Sequence, residues 1–260
     1  MNFETLQLTR KGRLLTITLN RPDVLNAVNE QMHVDLESAF AFAARDPESD
    51  VIVLTGAGRA FSAGGDLNYL AETARQPERF DVDVRRAKNI VYTLLELEKP
   101  LICRLNGHAI GLGATIALLC DLVYADEKAK IGDPHVSVGL VAGDGGAFIW
   151  PQRIGYALAK EFLLTGDPVT AKRAEQIGLI NRALPAEELD AAVDAIAQRL
   201  LDGSQNAIRW TKVTINLELK RIAHAVMDAG IAYEAVTIRS ADHQGAVDAL
   251  LNKRAPVFKR

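Results

Sequence analysis

Cysteine is scarce in this chain: Cys103 and Cys120 are the only two in 260 residues. Both sit inside apolar runs, and neither has the spacing of a metal or redox motif. They read as buried small hydrophobes, so nothing asks for an oxidising compartment. No stretch is apolar for long enough to span a bilayer. The opening M-N-F-E-T-L-Q-L lacks the basic region and apolar run of an export signal, so a cytoplasmic protein is expected. A surplus of one charge is missing as well. Thirty Lys and Arg against 33 Asp and Glu leave a formal net charge of −3, which argues against nucleic acid or an anionic membrane as the main partner. Aromatics make up 6% of residues and form no stripe with basic side chains, which removes the usual signature of RNA binding. Fixed-period repeats and low-complexity linkers are also absent.

What is present is an ordinary globular composition, 48% apolar and 24% charged, at a length that suits one α/β domain with a helical appendage. Leu6–Leu8 and Leu14–Leu19 alternate apolar and polar residues around the turn Lys11-Gly12, the pattern of a hairpin. Asn29 has the position of an N-cap for a helix to about Ala44, with Met32, Leu36, Ala39 and Phe40 as its apolar stripe. Val51–Thr55 and Leu101–Leu105 are short apolar runs expected to be buried strands. Leu122–Ala125 and Ala129–Ile131 read as further strands. A helix is expected from about Asp83 to Glu98, and others at Tyr156–Thr165, Ala171–Ile177 and from Pro185 to about Leu201. Beyond these, Ser204–Leu219, Ile222–Ser240 and Asp242–Leu251 read as three more helices.

Two glycine-rich loops follow buried strands. One is G-A-G-R-A-F-S-A-G-G-D-L from Gly56 to Leu67; the other is R-L-N-G-H-A-I-G-L-G-A-T from Arg104 to Thr115. The second leads into an apolar helix whose first N–H groups have no internal partner. Gly111 and Gly113 leave the Leu112 N–H open to a ligand oxygen, unless the loop is only a tight packing turn. Two such loops can aim two N–H donors at one oxygen, which is an oxyanion hole.

These loops, together with N-R-P-x-x-x-N-A at Asn20–Ala27 and R-A-P-V-F at Arg254–Phe258, resemble the crotonase (enoyl-CoA hydratase/isomerase) superfamily. The resemblance implies a spiral of ββα units over residues 1–200 and a C-terminal helical trimerisation region over 201–260. It implies an acyl-CoA thioester as substrate, with coenzyme A entering as part of that substrate and no prosthetic group or metal. By the same match, the backbone N–H groups of Gly65 and Leu112 form the oxyanion hole. Leu25, Ala27, Ala63 and Gly65 contact coenzyme A, and Phe258 and Lys259 reach its adenine and 3′-phosphate end. Residues 67–84 correspond to a variable lid. A homotrimer or a dimer of trimers is implied, for which Ile222, Val226, Ile231 and Val236 offer apolar surface that a protomer core would use equally well.

The sequence departs from the hydratase pattern where the chemistry should lie. Family hydratases use two glutamates, and the matching positions are Thr115 and His135. A threonine hydroxyl has no ionised form accessible near neutral pH, so ordinary two-carboxylate hydration is not expected. His135 and Asp144, nine positions on, offer a different pair, with the aspartate expected to fix the imidazole tautomer. The combination of D-P-H, G-D-G and W-P also resembles the β-diketone hydrolases of the superfamily, in which a helix-borne Glu matching Glu234 assists. Those hydrolases place a histidine where this chain has Leu112. The readings are an acyl-CoA enzyme with His135, Asp144 and Glu234 as catalytic residues, a CoA-independent C–C hydrolase, or an inactive scaffold. Asp144 as a helix cap, His135 as a loop residue and Glu234 as a solvated charge are the corresponding structural alternatives.

Overall fold

The computed structural model describes residues 3–258. It opens with the expected hairpin: β1 (Leu6–Lys11) pairs antiparallel with β2 (Leu14–Leu19), which turns Leu15, Ile17 and Leu19 inward. The chain continues through α1 (Glu30–Arg45), β3 (Val51–Gly56), α2 (Leu67–Arg75), α3 (Phe80–Glu96), β4 (Leu101–Leu105) and β5 (Ala109–Ile110). Next come α4 (Leu112–Leu119), β6 (Leu122–Asp126), β7 (Lys130–Gly132), α5 (Gly146–Thr165), β8 (Val169–Thr170), α6 (Ala171–Gln176) and β9 (Arg182–Leu184). Three helices close the chain: α7 (Ala186–Leu201), α8 (Gln205–Thr237) and α9 (Ala241–Leu251).

Six strands in the order β1-β2-β3-β4-β6-β9 form the main sheet, parallel from β2 onward, and β5-β7-β8 form a small second sheet. Ile52, Leu54, Leu101 and Cys103 belong to the core built with α1, α3 and α4. On the other face Val51, Val53 and Ile102 meet Leu189 and Val193 of α7. Helices on both sides bury these strands twice over, which is why they read as unbroken apolar runs rather than alternations. Asn29 caps α1, its side-chain oxygen accepting from the Met32 N–H at 3.0 Å, and all four residues of the predicted stripe are fully buried.

One expectation needs correction. Residues 204–240 do not make two helices. They make one of 33 residues, because Lys220 and Arg221 at the expected break favour helix and no proline or turn signal interrupts them. The lid region is largely helical, with α2 and the start of α3 flanking a short turn at Pro77–Arg79. The helix expected at Tyr156–Thr165 is present as the second part of α5, set off from the part that starts at Gly146 by non-helical backbone at Gly155 (φ +75°). Of the four apolar residues of α8 offered to a partner, Ile231 is in the protomer core and Ile222 and Val226 pack against it. Only Val236 is well exposed.

α8 also determines what reaches the site. Near its start, Lys212 pairs with Asp121 at 2.7 Å and Asn216 donates to the Leu95 carbonyl at 3.0 Å. Further along, Gly230 meets Gly143 backbone to backbone. A β-carbon on Gly143 would lie 2.4 Å from the Gly230 carbonyl oxygen, so only glycine allows this approach. One helical turn beyond, Glu234 enters the interior.

Candidate active site

The two glycine loops pack against each other. Phe61 and Ser62 N–H groups both donate to the His108 carbonyl, and the Ile110 N–H donates to the Ser62 carbonyl at 3.0 Å. Gly64 has a φ of +86°, and a β-carbon there would lie 2.9 Å from the Ile110 carbonyl oxygen, so both its conformation and its surroundings demand glycine. Val28 fastens the first loop from α1's side, donating to Gly64 and accepting from Asp66. Gly65 between them is Val28's bridge partner, but its own N–H takes no part in these bonds. Leu112 is the first residue of α4, preceded by Gly111 at φ +54°. Among the described residues neither the Gly65 nor the Leu112 N–H has a protein acceptor, and both residues line one cavity of about 260 Å³.

The far wall of that cavity carries the titratable groups. β7 ends at Gly132, and Asp133-Pro134 leads into the tight turn His135–Val138. His135 Nε2 lies 3.6 Å from Asp144 Oδ2 and 3.9 Å from Glu234 Oε1. Its Nδ1 is hydrogen-bonded to Asp133 Oδ1. The Thr115 hydroxyl donates to Asp144 Oδ1 at 3.3 Å, and the Gly146 N–H approaches the same oxygen at 3.4 Å. His243 on α9 ties the turn down, its Nδ1 bonded to the Val138 carbonyl at 2.8 Å. That gives a partner to a histidine for which the sequence suggests none.

His135, Asp144 and Glu234 are therefore brought together, although they lie on a turn, a loop and a distant helix. The expected direct brace between Asp144 and the inner nitrogen of His135 is corrected by the structure. Asp133 holds that nitrogen, and Asp144 faces the outer one across a gap. Asp144 does not cap α5 in its own right either: Gly145 is the cap residue and supplies no side-chain bond. Position 115, which carries a glutamate in hydratases, here supports Asp144 with a hydroxyl.

Three buried carboxylates around one imidazole alter each other's ionisation. Burial works against the charged form of His135, but Asp133, Asp144 and Glu234 outweigh it and hold its pKa well above the ordinary imidazole value. Burial raises the Asp144 carboxyl, with the Asp133 charge adding to it and His135 opposing. Burial pushes Glu234 up to about 8, again opposed by His135 and reinforced by the two aspartates. His135 and Glu234 thus retain protons at neutral pH, and their titrations depend on one another.

Among the residues expected to touch coenzyme A, Ala63 and Gly65 line the cavity, whereas Leu25 and Ala27 do not. The Leu25 carbonyl accepts the Ala63 N–H at 2.9 Å from a left-handed conformation (φ 58°), and the Ala27 carbonyl accepts from Arg21. Both brace the first loop from behind. Phe258 is 43% exposed beyond α9, and Lys259 lies outside the described residues. The rest of the cavity wall is mainly apolar, from Leu67, Leu70, Phe80, Leu140, Ile238 and Leu250.

Two loop N–H groups without a protein acceptor among the described residues thus share one cavity with a buried cluster of one imidazole and its neighbouring carboxylates. The profile of the enoyl-CoA hydratase/isomerase family matches residues 9–260. A crystal structure of an enoyl-CoA hydratase/isomerase from Mycobacterium paratuberculosis superposes with a TM-score of 0.92 at 38% identity, covering 95% of this chain and 99% of that one. The 2,3-dehydroadipyl-CoA hydratase of Escherichia coli is 33% identical over 98% of both chains. The 1,2-epoxyphenylacetyl-CoA isomerase of the same organism is 35% identical over 94% of both. The chain belongs to the enoyl-CoA hydratase/isomerase family. Its relatives catalyse different reactions, so membership alone does not choose the chemistry.

Proposed function

We propose that the protein acts on an acyl-CoA thioester through an enolate, with coenzyme A as part of the substrate and no prosthetic group. The observation that carries this reading is the pair of free N–H groups at Gly65 and Leu112 on the same cavity as the His135 cluster. The thioester oxygen placed between these donors is stabilised as negative charge develops on it, each donor contributing roughly 100- to 1000-fold in rate. The acyl α- and β-carbons then extend toward His135, Asp144 and Glu234, which move the proton. This division of labour replaces the two-glutamate arrangement of hydratases, and simple hydration of short 2-enoyl-CoA substrates is expected to be slow.

One observation favours a second reading. An imidazole braced at Nδ1 with Nε2 facing a cavity and two carboxylates is suited to activating water against a carbonyl. That is the requirement of a β-diketone hydrolase, whose C–C cleavage also leaves an enolate for the same two N–H groups. Incubation with panels of acyl-CoA thioesters and of β-diketones, read by mass spectrometry, distinguishes the two. Turnover confined to free diketones would overturn the thioester reading.

Coenzyme A itself offers a separate check. Removing residues 255–260 is expected to weaken acyl-CoA affinity about tenfold in calorimetry while leaving the melting temperature unchanged, since Val257 and Phe258 are exposed. Unchanged affinity would remove the C-terminal segment from the binding site. A trimer or pair of trimers is the proposed assembly, and light scattering of a monomer at micromolar concentration would contradict it.

A further inference from the structure

Asp133 is the group that the sequence motifs leave unassigned. It is 1% exposed, and its Oδ1 is bonded to His135 Nδ1. Its Oδ2 has no partner among the described residues. The space for this carboxylate is made by the first residue of α5: a β-carbon on Gly146 would fall 1.8 Å from Asp133 Oδ2. Pro134 between Asp133 and His135 fixes φ of the linking residue, so the carboxylate and the ring are held two positions apart in one turn. A buried carboxylate with one oxygen unsatisfied is costly to keep and needs a reason beyond packing.

We infer that Asp133 is a positioning residue that fixes the proton of His135 on Nδ1 and presents Nε2 to the substrate, with Gly146 kept small to seat it. An ionised carboxylate only accepts, so the ring nitrogen facing it must carry the hydrogen. Nε2 is then the nitrogen that exchanges a proton with the cavity, where Asp144 and Glu234 lie within 4 Å. The groups facing the ring are Asp133 from the β7 end, Asp144 from the loop before α5, Glu234 from α8 and, behind the turn, His243 from α9. Among the described residues only Asp133 is bonded to Nδ1. Without it, the neutral ring is free to carry its hydrogen on Nε2, where it cannot act as a base. This assignment rests on the proposal that His135 moves the substrate proton, but its geometry and its first test do not require a known substrate.

The test uses the full-length protein with 15N-labelled histidine. The five histidines give separate imidazole signals, and His135→Gln identifies that of His135 by its loss. The expected wild-type signal is a strongly deshielded Nδ1-bound proton, and on raising the pH the Nε2 proton leaves first. In Asp133→Asn the deshielded proton disappears, the ring titrates at lower pH and both tautomers coexist. With whichever substrate the panels identify, Asp133→Asn is expected to lower kcat about 1000-fold, the scale on which loss of an orienting aspartate acts, with KM within a few-fold. Gly146→Ala, which crowds Asp133 without removing its charge, is expected to lower kcat in the same way, and combining the two changes adds little. A wild-type ring that deprotonates to the Nε2–H tautomer, or an Asp133→Asn protein with the wild-type tautomer and kcat, overturns the assignment. Normal tautomer shifts with no effect on kcat would leave Asp133 holding the ring as described and instead overturn the role of His135.

Discussion

Asp144→Asn is expected to cost about 100-fold or more in kcat, the scale of a lost general base or acid, with little loss of thermal stability. Asparagine keeps the volume and can still accept from the Thr115 hydroxyl and the Gly146 N–H. What it removes is a carboxyl whose charged form burial disfavours, so the change in stability is expected to be small beside the change in rate. His135→Gln is expected to be at least as damaging to kcat, and it should also lower the melting temperature, because Asp133 is then buried without its partner. The double variant should be scarcely slower than the worse single one, since groups that pass one proton between them act as a unit. Additive losses, each multiplying the other, would mean that the two residues serve different steps.

Much of this architecture was legible because it follows from burial and capping alone. The V-I-V-L-T and L-I-C-R-L runs needed two covered faces, and Asn29 before an apolar stripe could hardly be anything but a cap. The glycine loops were also visible, since a strand followed by glycines and an apolar helix presents unpaired N–H groups wherever it occurs. His135, Asp144 and Glu234 do converge, as the family resemblance implied. Asp133 is not legible as the partner because a residue two positions away seldom reaches a ring nitrogen, and here the intervening proline makes the geometry possible. β5, two residues long, carries no periodicity to detect. The continuity of α8 is hidden for a different reason: its buried positions keep one helical face, but Lys212, Asn216 and Glu234 among them are polar, so no apolar stripe runs its length.

Glu234→Gln is expected to trade activity for alkaline stability. The Glu234 carboxyl is pushed up to about 8 in the folded protein, from an ordinary value of 4.5 in the unfolded chain. A group raised on folding favours the native state while it stays protonated, below the unfolded value. That advantage is lost progressively as pH rises from there through the folded value, because the unfolded chain releases its proton first. His135, also raised, loses its contribution in the same direction. The wild-type melting temperature should therefore fall as pH rises between about 5 and about 9, by the equivalent of roughly 2–4 kcal/mol for the Glu234 share. Glutamine cannot ionise, so the variant should hold a flatter profile and melt roughly 5–10 °C higher than wild type near pH 9, with little difference near pH 5. Its kcat should fall at neutral pH, where the wild-type carboxyl is mostly protonated and stands 3.9 Å from His135 Nε2 as a proton donor to the same cavity. Parallel melting profiles for the two proteins would show that Glu234 is ionised at neutral pH, and the donor role would then have to pass to the imidazolium of His135.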